Sequence, residues 1–385
     1  MTEYMHENMD TSQLNQSESA SSIEKREIVE RIISTLNQKM VEAGEGEPFH
    51  NAEHPKHVLE DAHAILGIFE RYGLAASDQK LVVDTATAGH DVIIEYVGVS
   101  SPGAFNYGQR LRFRGFEQMM PPAVRDLVGE RKGNEEASWL EIEKVVRESD
   151  PSGLVYTPDI LAKIKAAVGA TYPDAGMVPL PAESVIVNNP NAELKPVDLG
   201  PYLIKDKEGR YLGLKFDQPL LNPDSDISTL AVAFGDLMYA GKVDSATFRQ
   251  RGNGEFREIS EKMSYYVGKG MDQISSEDKP KMATAMLGWI KSQISFVLWQ
   301  KIRFNEVIEN FKAIIQSPEA DKIKNDFKAL YCNFDTNLVD AKERVDETEA
   351  KFGALRKTET YTTTEGDQLF QNLLIEMGYE EKSVV

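Results

Sequence analysis

The sequence predicts a mainly α-helical protein with one β-hairpin-containing insertion and a long C-terminal helix. Three observations predict it. Apolar residues recur at three- and four-residue spacing in several separate stretches. A proline-rich stretch, 172–222, breaks that pattern and holds two short β-prone runs around a turn. A further helical pattern, from about Lys281 to Ile315, carries Met286, Trp289, Ile290, Val297, Ile302 and Phe304.

Residues 1–22 are rich in Ser, Gln, Asn and Glu and hold almost no large apolar side chain, which predicts a disordered tail. Ile28, Ile32, Ile33, Leu36 and Met40 then share a helix face, which stops in the acidic, glycine-containing stretch Glu42–Pro48. Pro55 suits the first turn of a second helix, whose apolar face is Val58, Ala62, Ile65, Leu66 and Phe69. A third helix is expected over about Asp78–Asp91, an irregular stretch over 95–133, and helices over Asn134–Arg147 and Pro158–Thr171. Tyr202–Lys205, a turn at Asp206–Gly209 and Tyr211–Leu214 read as a hairpin. A helix resumes at Ile227–Ala240. From Arg356 the chain turns polar and Thr-rich and is expected to be a flexible tail, with a short helix over Leu369–Met377. The expected division is a tail, 1–22; a domain, 23–260, with insertions near 95–133 and 172–222; a helical extension, 261–355; and the tail 356–385.

The 385 residues carry a formal charge of −19, which argues against non-specific grip on nucleic acid or on an anionic membrane. Hydrophobic content of 41% and charged content of 27% are ordinary for a globular protein. One cysteine, Cys332, excludes an intramolecular disulfide and a cysteine-based zinc cluster. Without a membrane-length apolar run or a signal pattern, the expected location is the cytoplasm. Oligomeric state leaves no mark in the sequence.

The histidines carry the chemical signal. Five of the six, His50, His54, His57, His63 and His90, fall within one short region, and none follows residue 90. His90-Asp91 is flanked by small and apolar residues, Ala86 to Gly89 and Val92 to Ile94, which predicts burial. A buried charge must be paired or bound to a metal. The pair therefore reads as ligands or as a helix-terminal His-Asp with local hydrogen bonds. Asp236 is the one charged residue in the run Ile227–Tyr239. A metal, an arginine or a helix N-terminus could offset the cost of burying it. Asp224 and Asp226, beside Pro223 and Ser225, read as loop and N-cap residues.

His50-Asn51-x-x-His54, then His90-Asp91, then a late aspartate, resembles the HD superfamily of metal-dependent phosphohydrolases. The opening motif is similar in spacing to that of cyclic-nucleotide phosphodiesterases. Gly133-Asn134-Glu135-Glu136-Ala137-Ser138 resembles an element of small predicted HD hydrolases. The resemblance spans roughly 28–260 and implies an HD-type helical bundle. It implies His54, His90, Asp91 and Asp236 as ligands of one divalent ion, with Mn, Fe, Zn, Ni and Mg left open. A second, mostly hydrated ion could be bridged through Asp91. It implies His50 as general acid toward the leaving group and Glu135 as a residue that orients a water or supports a ligand. His57 could be a substrate contact, a substitute ligand or a surface histidine. The implied reaction is hydrolysis of a nucleotide or another small phosphate ester, with metal-activated water attacking phosphorus.

Residues 105–132 hold six basic and three acidic side chains in a strongly acidic chain. Arg110, Arg112 and Arg114 alternate, so an extended segment would put their guanidinium groups on one face, suited to phosphate. They could equally pair with acidic surface elsewhere. Two alternatives to the phosphohydrolase stand: a cyclic-nucleotide or dinucleotide phosphodiesterase, and a catalytically idle scaffold of the same fold that binds a ligand or protein partner.

Overall fold

The computed structural model describes residues 20–45, 47–93, 134–190, 196–260, 263–264, 267–268, 270 and 274–379. The protein is mainly helical with a small β insertion, as the hydrophobic periodicity predicts. Arg110, Arg112 and Arg114 and the irregular stretch around them lie outside the described residues, as does the N-terminal tail through residue 19.

Helix α1 (Ala20–Ala43) begins inside the stretch expected to be a tail and buries Ile28, Ile32, Leu36 and Met40. Helix α2 (His54–Arg71) has Pro55 in its first turn and buries Val58, Ala62, Ile65, Leu66 and Phe69, the face read from its spacing. Helix α3 (Gln79–Gly89) ends just before His90-Asp91. Helices α4 (Asn134–Ser149) and α5 (Pro158–Gly169) follow. Thr157 caps α5 by accepting from the Ile160 N–H, with Pro158 at the first helical position.

The insertion contains β1 (Asp174–Pro179), β2 (Ile186–Val187), β3 (Val197–Asp198), β4 (Ile204–Lys205) and β5 (Tyr211–Asp217). The expected hairpin is β4–β5, with Ile204 opposite Leu212 and Gly209 at φ +80° in its turn. The hairpin is extended by a third, antiparallel strand: β1 pairs with β5 along its length, from Asp174 opposite Asp217 to Pro179 opposite Leu212. β2 and β3 form a separate two-stranded sheet.

The expected helix over 227–240 is two helices, α6 (Ile227–Leu237) and α7 (Tyr239–Lys242), broken at Met238. Helix α8 (Ser245–Ile259) follows, capped by Asp244. The long helix α9 (Asp278–Asn310) is shorter at its C-terminal end than its apolar pattern suggests. Phe311 leaves helical geometry, at ψ 120°, and the Lys312 N–H bonds the Pro223 carbonyl instead of continuing the helical ladder. The chain continues through α10 (Lys312–Ile315), α11 (Ala320–Leu330), α12 (Phe334–Phe352) and α13 (Thr364–Glu376).

The segment from Arg356, expected as a flexible tail, is packed. Tyr361, Phe370, Leu373, Leu374, Met377 and Tyr379 are buried. Its polar residues hid this, because they sit on the outer side of an amphipathic helix whose inner side carries the large apolar ones.

Two close approaches position the site. Helices α2 and α6 make the most extensive contact between described elements, and Gly235 lets them meet. A Cβ there would sit 2.7 Å from the Val58 carbonyl oxygen. Gly254 similarly lets α8 approach the turn before α2, since a Cβ there would sit 3.0 Å from the Pro48 carbonyl oxygen. No helix among the described residues is long and apolar enough to cross a membrane.

Candidate metal centre

His54 is the first residue of α2, His90 follows the last turn of α3, Asp91 comes next, and Asp236 lies in the last turn of α6. The tertiary fold brings these four together. His54 Nε2 lies 3.2 Å from Asp236 Oδ1 and 3.5 Å from Asp91 Oδ2. His90 Nε2 lies 3.1 Å from Asp91 Oδ2 and 3.7 Å from Asp236 Oδ1. The two Nε2 atoms are 3.3 Å apart. Donors about 2.0–2.2 Å from a tetrahedral ion stand about 3.3–3.6 Å from one another. Two three-residue sets, His54-His90-Asp236 and His50-His54-Asp91, each bring their donor atoms within 4.8 Å of one another, close enough to hold a metal ion.

The tautomer of His90 fits as well. Its Nδ1 lies 3.0 Å from the Thr87 carbonyl oxygen. A carbonyl only accepts, so Nδ1 carries a hydrogen and Nε2 is the nitrogen turned to the cluster. Mixed imidazole and carboxylate donors accommodate Zn, Fe, Mn or Ni, and Mg through the carboxylates.

The electrostatics favour positive charge in this place. Burial disfavours charged imidazole, yet the surrounding carboxylates outweigh it and hold His54 above its ordinary pKa and His90 well above it. Burial also pushes Asp236 up, but His54 and His90 prevail and hold it at about 2. The two histidines themselves offset the burial of Asp236, and neither an arginine nor a helix N-terminus does so among the described residues. Asp236 is at the C-terminal end of α6, where the helix dipole opposes a carboxylate, and its polar partners are the two histidines rather than an arginine. Asp226 instead caps α6 by accepting from the Ser228 N–H, and Asp224 pairs with Lys312 at the surface.

His50 sits beside the cluster, with Nε2 3.8 Å from Asp91 Oδ2. Its Nδ1 bonds Glu258 Oε1 on α8. The other Glu258 oxygen accepts the backbone N–H of His50 at 2.9 Å and of Phe49 at 3.1 Å. Burial pushes the Glu258 carboxyl up, but His50 and the two N–H groups hold it at about 2, so it stays ionised and His50 Nδ1 donates to it. Sequence reasoning missed Glu258. The signal was weak: α8 holds Gly252 and Gly254, which break a helical reading, and charged residues on its other faces conceal the one that turns inward.

Asn51 of the opening motif shapes the turn. Its Oδ1 accepts the Glu53 N–H at 2.9 Å and its Nδ2 donates to the Pro48 carbonyl. Glu135 is buried in the first turn of α4. That helix reaches the His-Asp segment through Ser138, whose hydroxyl accepts the Ile93 N–H at 3.2 Å. His63 bonds Asp84, away from the donor cluster.

The centre opens into a cavity of about 240 Å³ lined by His54, Phe49, Asn51, His57, Arg251 and Arg257 among others. A larger cleft, about 340 Å³, is lined by Leu221, Arg303, Phe311 and neighbours and includes none of the cluster residues. Of the cluster residues, His54 lines the smaller cavity.

Beside Asp236 and Glu258, Glu255 is pushed up to about 8 by burial and by those two carboxylates. It therefore carries a proton near neutrality and adds no further negative charge.

Comparisons of the chain with protein-family models, with curated proteins and with solved structures found no match.

Proposed function

We propose that the protein is a metal-dependent phosphohydrolase acting on a nucleotide or another small phosphate ester. One observation carries this reading: two imidazole Nε2 atoms, each within 3.7 Å of both an Asp91 and an Asp236 oxygen, stand next to a histidine held by a buried, ionised glutamate. His54, His90, Asp91 and Asp236 would hold the ion. A divalent cation bound there supplies Lewis acidity toward a phosphoryl oxygen and toward water.

The chain's own residues supply the proton chemistry. Glu258 fixes the ring of His50 through Nδ1, which leaves Nε2 to carry a proton. That proton passes to the oxygen of the departing alcohol, which otherwise leaves as a poor alkoxide. Glu135 remains a proposed support for a water or for the ligand set. A phosphodiester is the second candidate substrate, favoured by the His50-Asn51-x-x-His54 spacing and by this means of protonating a sugar hydroxyl.

The test is elemental analysis of protein purified without chelator, joined to a screen of nucleotides, cyclic nucleotides and simple phosphate esters. The expected result is about one tight divalent ion per chain and hydrolysis that stops in Asp91→Asn. Metal-bound protein without hydrolysis of any phosphoester would favour an idle, ligand-binding scaffold. Metal-free protein would remove the proposal.

A further inference from the structure

Arg251 projects from α8 into the cavity that contains His54. Its guanidinium carbon lies 5.5 Å from the centroid of the Tyr239 ring, within cation–π range. Tyr239 is itself clamped among Phe49, Phe248 and Phe296, so the platform is rigid. Among the described residues, no carboxylate forms an ion pair with Arg251.

The other charged groups of the cavity are already engaged. Arg257 donates to the Gly378 carbonyl at 2.8 Å and to the Asn253 carbonyl at 3.4 Å. Glu53 pairs with Lys56. His57 stands 4.0 Å from Glu60. In a chain of charge −19, an arginine that lines this cavity against an aromatic ring and makes no ion pair among the described residues is poised for an anion from outside.

We infer that Arg251 is a substrate-binding residue that receives the phosphate of the ligand, its guanidinium beside the Tyr239 ring in the cavity shared with His54. The inference rests on the phosphohydrolase reading for the identity of the anion. Two parallel N–H groups match two phosphate oxygens.

The experiment is a calorimetric titration of the full chain with inorganic phosphate, carried out with metal bound and again after chelation. The proteins are the wild type, Arg251→Gln, Arg251→Lys and Arg210→Gln, the last removing an exposed arginine on the hairpin. Far-ultraviolet spectra and melting temperatures establish that each variant is folded. Wild type is expected to bind one phosphate per chain. Arg251→Gln should weaken that binding roughly tenfold or more, the scale of one charge-assisted contact. Arg251→Lys should fall between, because an ammonium keeps the charge without the fork. Arg210→Gln should not change it.

Three results would overturn the inference. These are an unaltered affinity in Arg251→Gln, an equal loss in Arg210→Gln, or no saturable phosphate binding by the wild type in either state. Metal content of the same samples separates this failure from that of the proposed function. Bound metal with Arg251-independent phosphate binding removes Arg251 alone. Arg251-dependent binding without metal removes the phosphohydrolase and leaves the anion site.

Discussion

At the scale of single residues, the division of labour between His50 and the four donors gives separable expectations. Asp236→Asn keeps the shape of the side chain but loses its charge, and should remove the metal with little loss of fold. Asp224→Asn and Asp226→Asn should leave the metal in place, because one carboxylate faces Lys312 and the other caps α6. Elemental analysis of the three variants decides this. His50→Ala and Glu258→Gln should retain metal and lose roughly 10²–10⁴-fold in kcat on whichever ester the screen finds, the usual worth of a positioned proton donor. Equal kcat in wild type and His50→Ala would remove the general-acid role.

Glu258 also carries a pH signature. Its pKa is lowered on folding from 4.5 to about 2, so its contribution to stability is present above 4.5. That contribution is lost as the pH falls from 4.5 through about 2. Its size is on the order of 3 kcal/mol. Urea denaturation of Glu258→Gln should therefore show a large deficit against wild type at neutral pH. The deficit should shrink at about pH 3, where the unfolded chain has taken up the proton that the native carboxylate still lacks.

At the scale of elements, the site depends on how closely α6 lies on α2. Asp236 follows Gly235, and any push on that glycine moves the ligand relative to His54. Gly235→Ala would place a methyl 2.7 Å from the Val58 carbonyl oxygen, which is backbone and cannot step aside alone. The expected cost is about 1–3 kcal/mol, with weaker metal binding. Gly67, in the middle of α2, offers the control: a Cβ there meets nothing within 4 Å. Gly67→Ala should stabilise the protein by about 0.5–1 kcal/mol through helix propensity, with metal affinity unchanged. Thermal melts and metal titration of the two variants measure both effects.

Across the whole molecule, the C-terminal segment braces the wall of the cavity. Asn253 on α8 donates to the Glu376 carbonyl, and Arg257 to that of Gly378. Arg344 on α12 donates through Nη2 to Asn253 Oδ1 and through Nε to the Glu376 carboxylate. Phe370, Leu373 and Leu374 bury the inner side of α13. Phe370→Ala should cost about 3–5 kcal/mol. It should also loosen α8, which carries Arg251 and Glu258. Hydrogen exchange along α8 in this variant should rise relative to α2; equal protection of α8 in the variant and wild type would show that α13 stabilises the protein without bracing the site.

The periodicity of its apolar residues determined the helical class, the buried faces of α1 and α2, and the hairpin β4–β5, because alternation and three-to-four spacing are local properties. Three of the clustered residues were legible for a related reason, and His54 only from the spacing that carries the resemblance. A histidine-aspartate pair within small apolar residues, and a lone aspartate in an apolar helix, are anomalies of burial that a sequence displays. The tertiary structure alone decided what each charge meets. It set Asp236 at a helix C-terminus against two imidazoles, brought β1 to β5 across the insertion, packed the polar-looking segment after Arg356, and turned Glu258 of a glycine-bearing helix onto His50. Those contacts join residues from 33 to 208 positions apart. No local pattern encodes them, since they depend on where whole helices cross rather than on the neighbours of any one residue.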